Sequence, residues 1–238
     1  VEVVSSTVFT ESVGSWYGVD TSGISYLSAH FDSTNQRVIL VYQGRSNRVT
    51  VVAGNVSGSV ISFGSEYQDE SERRYIAAVF IENTGSYGYC KIATFSGTTV
   101  SFGTEYAFKS ATIYNSIACT YDSQANKVVI LCNGASNDAV VCSISGTAIT
   151  VESSTTFIAG SINSLSCDYN STSNKIIASY RNGGAPYNAA VIIGGISGVT
   201  PTFGSTLSLT AYAVDNFTAI SSSQTNEKFA VTWTNDSG

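Results

Sequence analysis

Three aspartates, Asp20, Asp168 and Asp215, raise the possibility of hydrolysis, because glycoside cleavage needs two carboxylates flanking the scissile bond. They fall in or just ahead of corresponding strands of a repeat, but at different repeat positions, and the units are too lean to build a deep substrate pocket. The expected reading is a non-enzymatic protein with no catalytic residue. Metal chemistry has less support still. No cysteine pair has zinc-like spacing, and the one histidine, His30, has no partner ligand. No cofactor is expected. What remains is a set of aromatic rings with amide neighbours: Trp16, Tyr17, Tyr106 and Tyr187, with Asn137 and Asn188. A ring face stacks on the C–H face of a sugar while amides satisfy hydroxyls, so these six residues are the candidate contacts for a glycan. The competing reading packs the rings between repeat units with each OH at the rim.

The charge balance narrows the partners. A net charge of -6 with only 12% charged residues argues against nucleic acid and against an anionic membrane surface, both of which need a basic footprint. Hydrophobic residues make up 43%, yet no apolar run approaches the length that spans a bilayer. No charged segment followed by an apolar one marks a signal peptide, and a chain that opens on Val and contains no Met reads as a piece of something longer. Five cysteines leave at least one thiol unpaired within the chain.

The elements that would position these residues repeat. Tyr121-Asp122-Ser123-Gln124-Ala125-Asn126-Lys127-Val128-Val129-Ile130 has near twins beginning at Phe31 and at Tyr169, with worn copies at Asp69 and Ser222. The markers at 32, 69, 122, 170 and 222 are spaced by 37, 53, 48 and 52 residues. In the third copy the unit reads as four short strands. Strand A covers residues 115–121, strand B 127–132, strand C 139–144 and strand D 147–151, in a meander. The A–B turn carries an aspartate that bonds its own backbone and an asparagine that tolerates left-handed φ. The C–D turn is Ser-Gly, at Ser57-Gly58, Ser96-Gly97, Ser145-Gly146 and Ser197-Gly198.

Five such units predict an all-β, five-bladed β-propeller occupying residues 1–238 as one domain. The last unit ends with strand B running into its B–C loop and the first residues read as strands C and D, so residues 1–14 are expected to complete blade five and close the ring. Blade two, about residues 65–103, departs from the pattern. Only five residues separate Gly64 from Asp69, where other units have 18 or 19, so it lacks room for an inner strand. Either the blade has three strands or a segment is missing there, and the wet faces that a lost inner strand would leave favour the second. In strand A the residues one, three and five before the marker are apolar, placing Cys119 and Cys167 in the same slot of adjacent blades and facing the same way.

The pattern S-Y-x-S-A-x-[FY]-D-S-x-x-[NQ]-[KR]-V-x-[IL]-V-Y, followed by V-x-G-x-V-S-G-x-x-I-S-F-G, is carried best by residues 25–64 and 115–151. It resembles repeats of phage tail-fibre and adhesin-like proteins from marine sources. The resemblance implies the propeller and a surface-exposed, extracellular or virion location, and it carries no active site. In size the chain is also similar to five-bladed animal lectins, without their motifs. The expected function is recognition or display on a virion fibre or cell-surface appendage, binding a cell-surface or extracellular glycan. The rival is a purely structural fibre subunit that contacts other subunits through its loops.

Overall fold

The structure, a computed structural model, describes residues 25–32, 35–43, 49–58, 60–68, 74–76, 79–81, 87–223 and 225–235. It is all-β, 69% strand, without helix among these residues, and one sheet curls into a half-barrel. Sheet one runs β1 (Ser25–Asp32), β2 (Arg37–Gln43), β3 (Val49–Ser57) and β4 (Val60–Phe63), with β5 (Tyr67–Gln68) pairing back on β3. Sheet two holds β6 (Arg74–Ile76), β7 (Val79–Ile81) and β8 (Gly88–Cys90). The hairpin β9 (Ala93–Ser96) and β10 (Thr99–Phe102) follows, and β11 (Tyr106–Lys109) returns to β8. Sheet three is β12 (Ile113–Asp122), β13 (Lys127–Gly134), β14 (Asn137–Ser145) and β15 (Ala148–Ile158). Sheet four is β16 (Ile162–Asn170), β17 (Lys175–Asn182), β18 (Ala189–Ser197) and β19 (Thr200–Phe203), with β20 (Leu207–Ser208) on β18. Sheet five shows β21 (Val214–Ser222) and β22 (Phe229–Asn235). Every pairing is antiparallel.

Successive sheets pack face to face, and this explains the second strand of each unit. β13 reads Val-Val-Ile-Leu-Cys without a polar face because neither face meets solvent. Val129 and Leu131 join the core shared with sheet four, while Ile130 and Cys132 join the core shared with sheet two. Side chains alternate across a strand, so one continuous apolar run feeds both cores. A third core joins Val41, Val51 and Ala53 of sheet one to Val100, Phe95 and Phe102 of the β9–β10 hairpin. Inner strands need small residues on one side: Ala118 faces sheet four while Ile117 and Cys119 face sheet two.

The turns behave as their residues dictate. Gln36, Asn126 and Asn174 take φ of 52°, 54° and 53°, and the Ser-Gly glycines Gly58, Gly97, Gly146 and Gly198 take 58–63°. Asp122 Oδ1 accepts from the N–H groups of Gln124 (3.0 Å) and Ala125 (2.9 Å). The turns are also tied to one another. Gln124 donates through Nε2 to the Ser171 carbonyl (2.9 Å), and Asn170 donates through Nδ2 to the carbonyls of Ser223 (2.8 Å) and Asn226 (2.9 Å). The fourth strand breaks after Phe63, Phe102 and Phe203, where the N–H of Gly64, Gly103 and Gly204 bonds the carbonyl of Ala53, Ile92 and Ile193, each at 2.9 Å. Sheet three carries Glu152 at that position, and β15 passes through it as a bulge.

Sheet two, expected to lack room for an inner strand, has the order β11-β8-β7-β6, with Arg74–Ile76 at one end. The stretch 74–81, apolar after Arg74, follows the Asp69 marker as a single strand B would, yet it holds two three-residue strands that pair antiparallel. A short apolar run has no periodicity that tells one strand from two. The expected closure by residues 1–14 lies outside the described residues, and no closed ring is seen among those described.

All five cysteines are free. Burial raises the thiols of Cys90 to about 12 and of Cys119 and Cys142 to about 11, and pushes Cys132 and Cys167 up as well. Native protein at pH 8 is therefore expected to react with a thiol reagent only after denaturant is added, when five thiols titrate. A fast native thiol, or a Cys119–Cys167 crosslink in peptide mapping, would contradict the register.

Candidate functional site

The D–A and B–C loops share one face, and two of them meet where sheet four adjoins sheet five. Tyr187 ends the B–C loop of sheet four after a cis Ala185-Pro186 bond, with φ 58°. Its N–H bonds the Gly184 carbonyl (2.8 Å), and its own carbonyl accepts from Val214 N–H (3.1 Å) at the start of sheet five. Arg181 Nε donates to the Val214 carbonyl (2.8 Å), and the Arg181 guanidinium lies 4.8 Å from the centre of the Tyr187 ring. Tyr187 is 41% exposed, and Tyr212, in the adjoining loop, is 50% exposed. Thr210 Oγ1 donates to the Tyr212 carbonyl (2.9 Å) and accepts from Ala189 N–H (3.2 Å), so both tyrosine backbones are fixed to one scaffold. Tyr114, at the corresponding end of sheet three, is 56% exposed.

The other expected contacts divide. Trp16, Tyr17 and Asp20 lie outside the described residues. Tyr106 is half-buried against the core between sheets two and three, and its carbonyl accepts from Cys90 Sγ at 3.7 Å. Asn137 and Asn188 are buried, a correction to their expected role as ligand contacts. Asn137 Nδ2 donates to the carbonyls of Ile158 (3.2 Å) and Gly160 (2.5 Å). Asn188 Nδ2 donates to the Thr210 carbonyl (3.2 Å), while its Oδ1 accepts from Asn182 Nδ2 (2.6 Å). They lie one residue apart in strand register, and each ties its B–C connection to the D–A loop beside it. Tyr187 is thus the only one of the six placed at the surface among the described residues. The sequence bets passed over Tyr212 and Tyr114, and no signal in the chain distinguishes their exposure from that of Tyr106.

The carboxylates do not converge. Asp168 is a strut between inner strands: Oδ2 accepts from the N–H (2.6 Å) and Oγ (2.8 Å) of Ser222, and Oδ1 from Tyr169 N–H (2.8 Å). Ser222 ends β21 while Asp215 sits near its start, a separation of about 20 Å along an extended strand. That exceeds the spacing across which two carboxylates flank a glycosidic bond. No group of His, Cys, Asp and Glu able to hold a metal occurs among the described residues.

One ionisable pair is buried on the same side of sheet three. Lys109 Nζ donates to Asp138 Oδ2 (2.8 Å) and to the Ser136 carbonyl (2.9 Å), and lies 3.8 Å from Cys132 Sγ. Burial alone would raise the Asp138 carboxyl. Hydrogen bonds from Lys109 and Ser136, the Lys109 charge and a bond from Thr156 outweigh it and hold the carboxyl below its ordinary range. Its bonds are all internal, so it reads as structure.

No protein-family model and no curated protein matches the chain.

Proposed function

We propose that this chain is a five-bladed propeller, closed by residues 1–14, that acts as a non-enzymatic glycan-recognition module on a virion fibre or cell-surface appendage. The face-to-face packing of sheets in chain order supports the ring, as does sheet five, which among the described residues has two strands where sheets three and four have four or more. The observation that carries the recognition reading is the pair Tyr187 and Tyr212: two half-exposed rings, one backed by Arg181, on loops fixed by buried amides. Exposed aromatic rings on a rigid backbone suit sugar C–H faces, and the scaffold pays little entropy on binding. Location follows from the resemblance and from a surface with few charges, rich in Ser, Thr, Asn and Gly.

The test is a glycan array on the intact chain, followed by titration of the best binder. Tyr187→Ala and Tyr212→Ala are each expected to weaken it several-fold, on the order of 1 kcal/mol per stacked ring, with unchanged melting. Lys175→Ala, on the opposite end of sheet four, should leave affinity alone. An array without signal at millimolar sugar, or tyrosine variants that melt early yet keep full affinity, would end the reading.

A further inference from the structure

Tyr187 and Tyr212 have a counterpart two junctions away on the same face. Where sheet two adjoins sheet three, Tyr87 is 40% exposed and Tyr114 is 56% exposed. Tyr87 directly precedes β8, at the end of the B–C loop of sheet two, and Tyr114 is the second residue of β12. Their neighbours in the chain touch. A Cβ built on Gly88 would stand 2.6 Å from Ile113 Cδ1 and 2.3 Å from Phe108 Cζ. Glycine at this position therefore lets the end of the loop lie directly on the first residue of sheet three. β11 pairs back on β8 at the same place, with Lys109 opposite Gly88.

Sheet four reaches the same arrangement by other means. β20 pairs back on β18, and the Tyr187 carbonyl accepts from Val214 N–H at the first residue of sheet five. Ile113 and Val214 are both buried and both open the first strand of a sheet. Each junction thus anchors a buried aliphatic residue under the rim. Each holds one tyrosine from the B–C loop beside it, and a second tyrosine within two residues of the anchor. The junction between sheets three and four differs. Residues 122–168 contain neither Tyr nor Trp, and Asn133 Nδ2 closes that joint by donating to the Ile162 carbonyl (2.9 Å). Tyr67, in the loop after sheet one, spends its ring on Phe102, 4.9 Å away between centroids.

We propose that Tyr87 and Tyr114 form a second glycan site of the same class as the one at Tyr187 and Tyr212. One chain then grips a branched or repeating glycan that presents the same sugar more than once, with sheets three and four between the two grips. This rests on the recognition reading and adds a site to it. A single stacked ring contributes little, and two linked weak sites bind a dense glycan surface far more tightly than either binds free sugar.

The experiment is an NMR titration of the isotope-labelled full chain with free galactose, mannose and N-acetylglucosamine at millimolar concentration. A bound sugar is expected to move two separate groups of amides, one at 88–90 and 113–116, the other at 187–189 and 210–214. Tyr87→Ala and Tyr114→Ala should each raise several-fold the concentration that half-shifts the first group, with the second group and the melting temperature unchanged. Tyr187→Ala should do the reverse. Tyr87→Phe and Tyr114→Phe keep the ring and should keep the response. On a sensor densely coated with the same sugar, the parent should be held about a hundredfold more tightly than it binds that sugar free, and Tyr114→Ala should lose most of this gain. Movement confined to 187–189 and 210–214 overturns the second site and leaves the first standing. A first group that ignores both alanine changes, or surface retention that Tyr114→Ala leaves intact, overturns it too. No movement with any of the three sugars ends both readings.

Discussion

Lys109→Met is expected to cost about 3 kcal/mol, because it leaves the Asp138 carboxylate buried without its cation. Both partners are largely buried, with side chains 8% and 13% exposed. The repeat shows why the pair exists and how to remove it without loss. Sheet four places Tyr180 where sheet three has Cys132, Ala190 where it has Asp138, and is faced by Ile158 where sheet three is faced by Lys109. Tyr180 fills its place completely and donates to Thr206 Oγ1 at 2.9 Å. Cys132 is too short to do so, and the lysine stem enters the space. The triple change Lys109→Ile, Cys132→Tyr, Asp138→Ala transplants the sheet-four arrangement and should restore parental stability, since replacing a buried ion pair by packed apolar groups is often neutral or better. Urea midpoints across pH check both claims. Asp138 is held below its ordinary value, so the pair's contribution is complete at neutral pH and is lost as pH falls through that lowered value. The deficit of Lys109→Met should shrink in acid accordingly. A single variant as stable as the parent, or a triple variant no better than the single, would show that the pair carries no such weight.

Asn170→Asp makes the fourth turn marker match Asp32 and Asp122, and it is expected to destabilise by about 3 kcal/mol all the same. Asn170 is fully buried. Its Oδ1 accepts from the N–H (2.9 Å) and Oγ (3.1 Å) of Ser173, which an aspartate would also do. Its Nδ2 donates to two carbonyls of sheet five, which a carboxylate can only repel. The introduced carboxyl therefore has a raised pKa in the folded protein. Its penalty is full at neutral pH and eases as pH falls through that raised value, where the protonated form can donate again. Asn170→Ala loses the same bonds without a pH dependence. Thermal melts of both variants at pH 4 and pH 7 read this directly, and an Asn170→Asp protein that is indifferent to pH would show that the amide is not needed.

These two sites mark the limits of the sequence. The A–B and C–D turns were legible because their chemistry is local: Asp122 bonds its own turn, and the positive φ of Asn126 and Gly146 needs no distant partner. The four-strand order was legible from the period of the markers. Sheet two was not, because residues 75–81 are apolar throughout and only pairing with β8 decides where one strand ends. Asn137, read as a loop residue, is the first of β14, Asn188 lies just before β18, and the role of each depends on Gly160 and Thr210, some 22 residues further on. Of the tyrosines, residue type named the candidates, but exposure depends on which neighbour reaches them. Tyr106 meets the Cys90–Phe108 core, while the Tyr187 ring lies against Arg181 and stays 41% exposed.

Gln124 and Asn170 reach forward from their A–B turns to the next unit, at Ser171 and at Ser223 and Asn226, while Ser222 reaches back to Asp168 and to the Tyr169 carbonyl. The forward contacts end on backbone carbonyls. A carbonyl belongs to every residue type, so a newly duplicated unit inserted at any junction finds an acceptor without a matching mutation in its neighbour. The joint tolerates gain and loss of whole units, and the loops on the far face remain free to diverge while it does so.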